Sequence, residues 1–223
     1  MGRFVAPPTG TAYAVDPNRC IPGGHMRSWR RCAMLLITGL CTAAARPAAA
    51  LPHVFIDNTV TFVFAGDKIT GLRLLWTFDE VFSETLLEDF DTDRDGSFSA
   101  AEIAKIKKTS LPSLKQFDYF VHLWVDGTPF KSFDATDLMV THKGDSVSYD
   151  MQITLTAPLD PRRGKFEAAI FDDTYYVEVG LHSPGPVRFK GIAEGSCKYS
   201  VKEDDSRAYY YETVYPDVIT LSC

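Results

Sequence analysis

The chain has 223 residues, of which 45% are hydrophobic and 23% charged, the composition of a globular protein with one or two packed domains. Its formal net charge is −6, and the acidic excess lies after residue 50, because the first 50 residues hold six arginines and one acidic residue, Asp16. Residues 51–223 therefore carry 17 basic and 28 acidic side chains. An acidic body excludes general binding to nucleic acids or anionic membrane surfaces and favours contact with cations.

Residues 26–50 have the three parts of a secretory signal peptide. Arginines at 27, 30 and 31 precede a short apolar run, Ala33 to Ala45, and small residues end the segment at Ala48 to Ala50. We therefore expect residues 1–50 to be an N-terminal extension and signal peptide, with cleavage near Ala50. Translation starts at either Met1 or Met26.

Two other fates of this segment stay open. A retained membrane anchor is disfavoured because the apolar run is well below the ~20 residues that a membrane span requires. Lipoprotein processing at Cys41 is disfavoured because Leu40, just before it, is too bulky for that cleavage. We expect the mature chain to have no membrane span.

The mature chain keeps two cysteines, Cys197 and Cys223. Two cysteines in an exported protein predict one disulfide between them. The alternative is a pair of free, buried thiols.

The first elements after the signal peptide are a strand hairpin and a helix. Apolar residues alternate along 54–64 and a second strand covers 69–78, with a turn at Gly66-Asp67. Residues 77–80 resemble a capping box, and the recurrence of Phe82, Leu86 and Phe90 predicts a helix over 80–90. A second helix follows over 100–108, and Pro112 is expected to open another short helix.

The acidic loop (residues 91–102) lies between these two helices and has the pattern of an EF-hand calcium site. Carboxylates occupy loop positions 1, 3, 5 and 12, and glycine occupies position 6, where the chain must turn sharply. Calcium prefers six to eight oxygen ligands. The predicted ligands are Asp91, Asp93, Asp95, the carbonyl of Ser97, a water held by Ser99, and Glu102.

A second interpretation of the acidic loop concerns its last residues. Ser99 and Glu102 also form a Ser-x-x-Glu capping box, so Glu102 is alternatively a cap of the helix that follows. EF-hands usually work in pairs and the sequence has no second loop, which favours a structural calcium ion over a sensor.

Strand patterns dominate the rest of the chain, with turns at Asp126-Gly127 and at 143–145. The predicted strands are 120–125, 139–142, 147–156, 166–171, 175–181, 187–190, 197–201 and 218–221. We therefore predict an α+β protein, mainly an antiparallel β-sandwich, formed by residues 51–223 with a helical EF-hand-like insertion at about 80–118.

Other chemistry has weaker support. His53 and Asp57 lie four residues apart on the first strand, so they share a face and form a candidate transition-metal pair, whereas scattered histidines are the alternative. The sequence has no Gly-x-Ser-x-Gly, HExxH or P-loop motif. We therefore expect a binding protein and not an enzyme.

Several segments resemble one known family. They are residues 52–57 (PHVFID), 76–80 (WTFDE), 86–93 (LLEDFDTD), 119–120 (YF), 125–127 (VDG) and 173–177 (DTYYV). This pattern resembles the domain-of-unknown-function 1007 family, described as the periplasmic component of an uncharacterised ABC-type transport system. The resemblance implies a periplasmic protein, often linked to nickel or cobalt transport, with a membrane transporter as partner. Family members usually open with His-Pro-His, and here Leu51 replaces the first histidine.

These observations support one leading function and one alternative. The leading interpretation is an exported calcium-binding accessory protein of a transport system for a divalent transition metal such as nickel, cobalt or zinc. The alternative is a calcium-stabilised envelope adhesion or interaction module with no transport role.

Overall fold

Strands dominate residues 51–223, the part of the chain that the computed structural model describes. The predicted signal peptide therefore lies outside the described residues. The helices are α1 (Glu80–Phe90) and α2 (Ala100–Lys115). The strands are β1 (Val54–Ala65), β2 (Lys68–Phe78), β3 (Val121–Val125), β4 (Thr128–Pro129), β5 (Phe133–Lys143), β6 (Ser146–Leu159), β7 (Phe166–Ile170), β8 (Val177–Leu181), β9 (Val187–Lys190), β10 (Lys198–Glu203) and β11 (Asp217–Ser222).

The strands form two open sheets. The larger has the order β5-β6-β2-β1-β8, with β9 also paired to β1, and the smaller has the order β10-β11-β7-β3-β4. Pairing is antiparallel except that β8 and β9 run parallel to β1, β8 along residues 54–58 and β9 along residues 60–63. The predicted mixed α+β class with mainly antiparallel strands is confirmed.

Both sheets contribute to one hydrophobic core. β1 contributes to this core through alternate residues, because every second side chain of a strand points to the same face. The period-two pattern of the sequence predicted this. Phe62 of β1 meets Phe166 of β7 edge to face, with ring centroids 5.9 Å apart. Trp76 of β2, which is 1% exposed, stacks on Phe120 just before β3 at 5.6 Å. These contacts hold the two sheets together.

Helix α1 has the predicted bounds, but its cap differs from the prediction. Asp79 is the N-cap, and its Oδ1 accepts a hydrogen bond from the backbone N–H of Phe82 at 2.9 Å. Its Oδ2 accepts one from the N–H of Phe55 at 2.8 Å, which ties the helix to β1. The predicted box over 77–80 is therefore replaced by a single aspartate cap.

Helix α2 is longer than predicted. It continues through Pro112 to Lys115, so the expected break into two helices is wrong. Proline lacks an N–H and removes one intrahelical bond, but here it does so near the end of the helix. Leu111 and Leu114 on either side pack against the core and keep the last turn in place. Within residues 51–223, neither helix is long and apolar enough to cross a membrane.

The predicted disulfide between Cys197 and Cys223 is confirmed. The two cysteines flank β10 and β11, whose pairing begins at Lys198 opposite Ser222. The disulfide therefore links the last residue of the chain to the outer strand of the smaller sheet.

Candidate functional site

The acidic loop connects α1 to α2 in a tight arc. Asp91 is the C-cap of α1, and its backbone N–H donates to the carbonyl oxygen of Leu87 at 2.9 Å. Gly96 has φ of +78°, the left-handed conformation that glycine adopts without steric cost, and this allows the sharp turn. Ser99 is the N-cap of α2. The two helix ends and the turn at Gly96 together give the first half of the acidic loop its curved path.

Three aspartates of the loop converge on one point. Asp91, Asp93 and Asp95 each place one carboxylate oxygen within 4.8 Å of the others. Calcium–oxygen bonds are about 2.3–2.6 Å, so two ligands of one ion can lie up to about 5 Å apart. The spacing of the three oxygens therefore fits a single calcium ion.

Backbone hydrogen bonds orient these carboxylates. Asp91 accepts from the N–H of Asp95 at 3.2 Å and from the N–H of Gly96 at 2.9 Å. Asp95 accepts from the N–H of Ser97 at 2.8 Å. The charge of Asp95 raises the pKa of Asp93 above its ordinary value, because two nearby carboxylates repel each other. A cation between them would relieve this repulsion.

Glu102 is held apart from the three aspartates. Its Oε1 accepts hydrogen bonds from the N–H of Thr92 at 2.6 Å and from the Thr92 hydroxyl at 2.7 Å. Its Oε2 accepts from the N–H and the hydroxyl of Ser99, each at 2.9 Å. Hydrogen bonds from Thr92 first, and then from Ser99, lower the pKa of Glu102 to about 2. The carboxylate is therefore ionised at neutral pH.

The helix-capping interpretation of Ser99 and Glu102 is confirmed, because both reciprocal bonds of the capping box are present. The backbone N–H of Glu102 donates to the Ser99 hydroxyl at 3.4 Å. The Ser99 side chain is thus engaged in the cap, whereas the sequence predicted that it would hold a water.

The β5–β6 hairpin contacts the acidic loop through a residue that sequence reasoning did not select. His142 Nδ1 lies 2.5 Å from the carbonyl oxygen of Gly96. His142 is 46 residues away along the chain, so no local spacing connects it with the loop. The contact positions the turn of the loop against the larger sheet.

The second candidate site is not assembled as the sequence predicted. His53 stacks on Tyr176 with ring centroids 4.8 Å apart, whereas Asp57 Oδ2 is hydrogen-bonded to His182 Nδ1 at 2.7 Å. Four residues of extended strand span about 13 Å at ~3.3 Å per residue, too far for His53 and Asp57 to share one ion. His53 lies just before β1 and Asp57 within it, and each has its own partner.

The fold and the acidic loop together define a mixed α+β protein with two open sheets and a cluster of three aspartates between two helices. The chain belongs to the family described as "Protein of unknown function (DUF1007)", whose model matches residues 36–216. It is also similar to a Spirochaeta aurantia protein described as "Uncharacterized 15.5 kDa protein in trpE 3'region". The two are 24% identical over 131 residues, which cover 59% of this chain and 93% of the relative.

Proposed function

We propose that this protein binds one calcium ion in the acidic loop, in the manner of an EF-hand, and acts as an exported binding protein and not as an enzyme. The observation that carries the proposal is the convergence of Asp91, Asp93 and Asp95 within 4.8 Å, between two helices and beside the left-handed turn at Gly96. Oxygen ligands of this kind suit a hard cation.

The remaining ligands would come from the second half of the loop. Ser97 would contribute its backbone carbonyl, and Glu102 would exchange its hydrogen bonds from Thr92 for the ion. Calcium would offset the mutual repulsion of the three converging aspartates.

A structural role suits this ion better than a sensing role. Among the described residues one acidic cluster of this kind is present, whereas sensors usually pair two loops. Extracellular calcium modules have dissociation constants on the order of 10⁻⁴–10⁻³ M, and we expect an affinity in that range.

Calorimetric titration of the purified protein with calcium tests the proposal. We expect one calcium ion per chain at millimolar concentrations, and loss of uptake in Asp93→Ala, which removes the ligand oxygen. Asp145→Ala is the matched control, because Asp145 is an exposed aspartate in the turn between β5 and β6. Absence of calcium uptake by the wild-type protein at millimolar concentrations would overturn the proposal.

The cellular role we propose is that of an accessory protein for transport of a divalent transition metal in the periplasm. Its support is the acidic charge of residues 51–223 and the family resemblance. Deletion of the gene in its host should change cell content of nickel, cobalt or zinc, or tolerance to one of them. Unchanged content and tolerance for all three would favour the calcium-stabilised envelope module instead.

A further inference from the structure

A cavity of 340 Å³ lies between the two helices and the core-facing side of the larger sheet. Ligand pockets in proteins usually have volumes of about 300–1,000 Å³. Helix α1 lines the cavity with Phe82, Leu86 and Phe90, and α2 lines it with Leu114. The apolar stripe of α1 therefore faces partly empty space, although protein interiors are normally close-packed.

The floor and end of the cavity are rigid. Trp76 forms part of the floor and stacks on Phe120, which forms part of the end wall. Phe120 is the last of three consecutive non-glycine residues in the left-handed conformation, with φ of 50° at Asp118, 55° at Tyr119 and 59° at Phe120. This conformation costs roughly 1–2 kcal/mol per residue. The strained turn is kept in place by a hydrogen bond from the Tyr119 hydroxyl to Asp134 and holds the end wall of the cavity.

Hydroxyl groups and one carboxylate are interspersed with the apolar side chains of the lining. Ser110 and Tyr149 lie on opposite walls, and their hydroxyl oxygens are 3.3 Å apart. Asp89 is the charged residue of the lining. Lys105 lies beside it, with Nζ 3.4 Å from the Asp89 carbonyl oxygen and 5.3 Å from the centroid of the Phe90 ring. An anionic ligand would meet the Asp89 carboxylate and no lining cation.

From these walls we infer that the cavity is a binding site for a small apolar molecule that carries no negative charge. Aromatic and aliphatic walls provide the driving force through burial of apolar surface. An anionic group on the ligand would lose its hydration without gaining a partner, which is costly. The site does not depend on the proposed function, because none of its lining side chains is a proposed calcium ligand.

Two fluorescent probes that differ by one charge test the inference. N-phenyl-1-naphthylamine is neutral, and 8-anilino-1-naphthalenesulfonate has the same ring systems and a sulfonate. We expect saturable binding of one neutral probe per chain, and binding of the sulfonate at least about tenfold weaker, equivalent to 1.4 kcal/mol. Equal or tighter binding of the sulfonate would overturn the assignment, as would absence of saturable binding of the neutral probe.

Three variants on α2 locate the binding. Thr109→Phe and Ser113→Phe introduce a ring from two positions of the lining, and each should weaken neutral-probe binding at least about tenfold. Lys108→Phe is the matched control, since Lys108 is exposed on the same helix and outside the lining, and it should bind as the wild type does. Thermal unfolding verifies that each variant is folded. Wild-type affinity for the neutral probe in both lining variants would overturn the inference. Dimer formation that displaces the probe would also overturn it, because the occupant of the cavity would then be a second copy of the chain.

Discussion

Glu102 holds Thr92 from ten residues away, because its Oε1 accepts both the backbone N–H and the hydroxyl of Thr92. The other oxygen of the same carboxylate accepts two hydrogen bonds from Ser99. One side chain thus connects the entry of the acidic loop to the first turn of α2. The loop is closed by protein groups as well as by any ion that it binds.

Substitution Glu102→Gln should therefore lower thermal stability even when a chelator removes calcium. The amide has one acceptor oxygen in place of two, so either Thr92 or Ser99 loses its partner. We expect the melting temperature to fall by a few degrees in chelator. Glu84→Gln, an exposed position of α1, serves as the control and should leave it unchanged. Equal melting temperatures for Glu102→Gln and wild type in chelator would contradict the closing role of Glu102.

Asp93→Ala should not lower thermal stability in chelator, in contrast to Glu102→Gln. Removal of one charge relieves the repulsion by Asp95, so stability without calcium should be equal to or higher than that of the wild type. With calcium at a hundredfold excess over Kd, the wild type should gain about 2.7 kcal/mol, and the variant should gain much less. Denaturant unfolding with and without calcium measures both effects. A full calcium gain in the variant would exclude Asp93 as a ligand.

Asn58→Leu should stabilise the fold. Asn58 is completely buried in β1, and neither atom of its amide has a hydrogen-bond partner among residues 51–223. An unpaired buried polar group costs about 1–3 kcal/mol, and leucine has a similar size, so we expect a gain of about 1–2 kcal/mol in the free energy of unfolding. A loss of stability would indicate that the amide is satisfied by a buried water.

Glu167→Gln should destabilise the protein in a pH-dependent way. Burial raises the pKa of Glu167, but hydrogen bonds from Lys165 and Arg207 lower it by more. The Arg207 bond is 2.7 Å long. The pKa of Glu167 therefore lies below the ordinary value of 4.5. The ionised form is therefore the stabilising one in the folded state, and its contribution is complete above pH 4.5 and is lost as pH falls through the folded pKa.

The free energies of unfolding of wild type and Glu167→Gln at neutral pH should differ by about 1.5–3 kcal/mol, the range for hydrogen bonds to charged groups. The difference should shrink on acidification below pH 4.5, where the carboxyl group in the unfolded chain is more than half protonated. Glu178→Gln is a control, because Glu178 accepts one long hydrogen bond, from Tyr175 at 3.4 Å. A difference for Glu167→Gln that stays constant with pH would contradict the assignment.

Replacement of both Cys197 and Cys223 by alanine should lower the free energy of unfolding. The disulfide closes a loop with a sequence separation of 26, for which the chain-entropy model gives about 3.5 kcal/mol. Unfolding of the oxidised wild type, the reduced wild type and the double variant separates loss of the crosslink from loss of packing. Equal stability of oxidised and reduced wild type would show that the disulfide contributes nothing.

Local patterns predicted the parts of the fold that local physics determines. The alternation along β1 and the every-fourth recurrence in α1 gave the correct elements, because each reflects one buried face. Pro112 was misleading, since packing of its neighbours outweighed the lost backbone bond. Periodicity also does not encode strand partners, so the parallel pairing of β8 and β9 with β1 was not foreseen.

The candidate site also had a part that local sequence patterns predicted and a part that they did not. The spacing of Asp91, Asp93 and Asp95 is a local property, and the three residues converge as their pattern indicated. The pairing of Asp57 with His182 spans 125 residues, and the contact of His142 with Gly96 spans 46. The cavity beside α1 likewise depends on three elements meeting in space. Such features require the tertiary structure.

Helix α2 also contacts one of the two outer strands of the larger sheet. This strand is β5, and α2 reaches it through Lys107 with Asp137, at 3.3 Å, and Lys115 with Asp134. Exposed ion pairs of this kind add little stability, but exposed strand edges promote pairing between molecules. Since α2 is the helix that leaves the acidic loop, any condition that frays the loop would also uncover this edge. Under the proposed calcium binding, loss of the ion would therefore favour self-association of the protein through this edge.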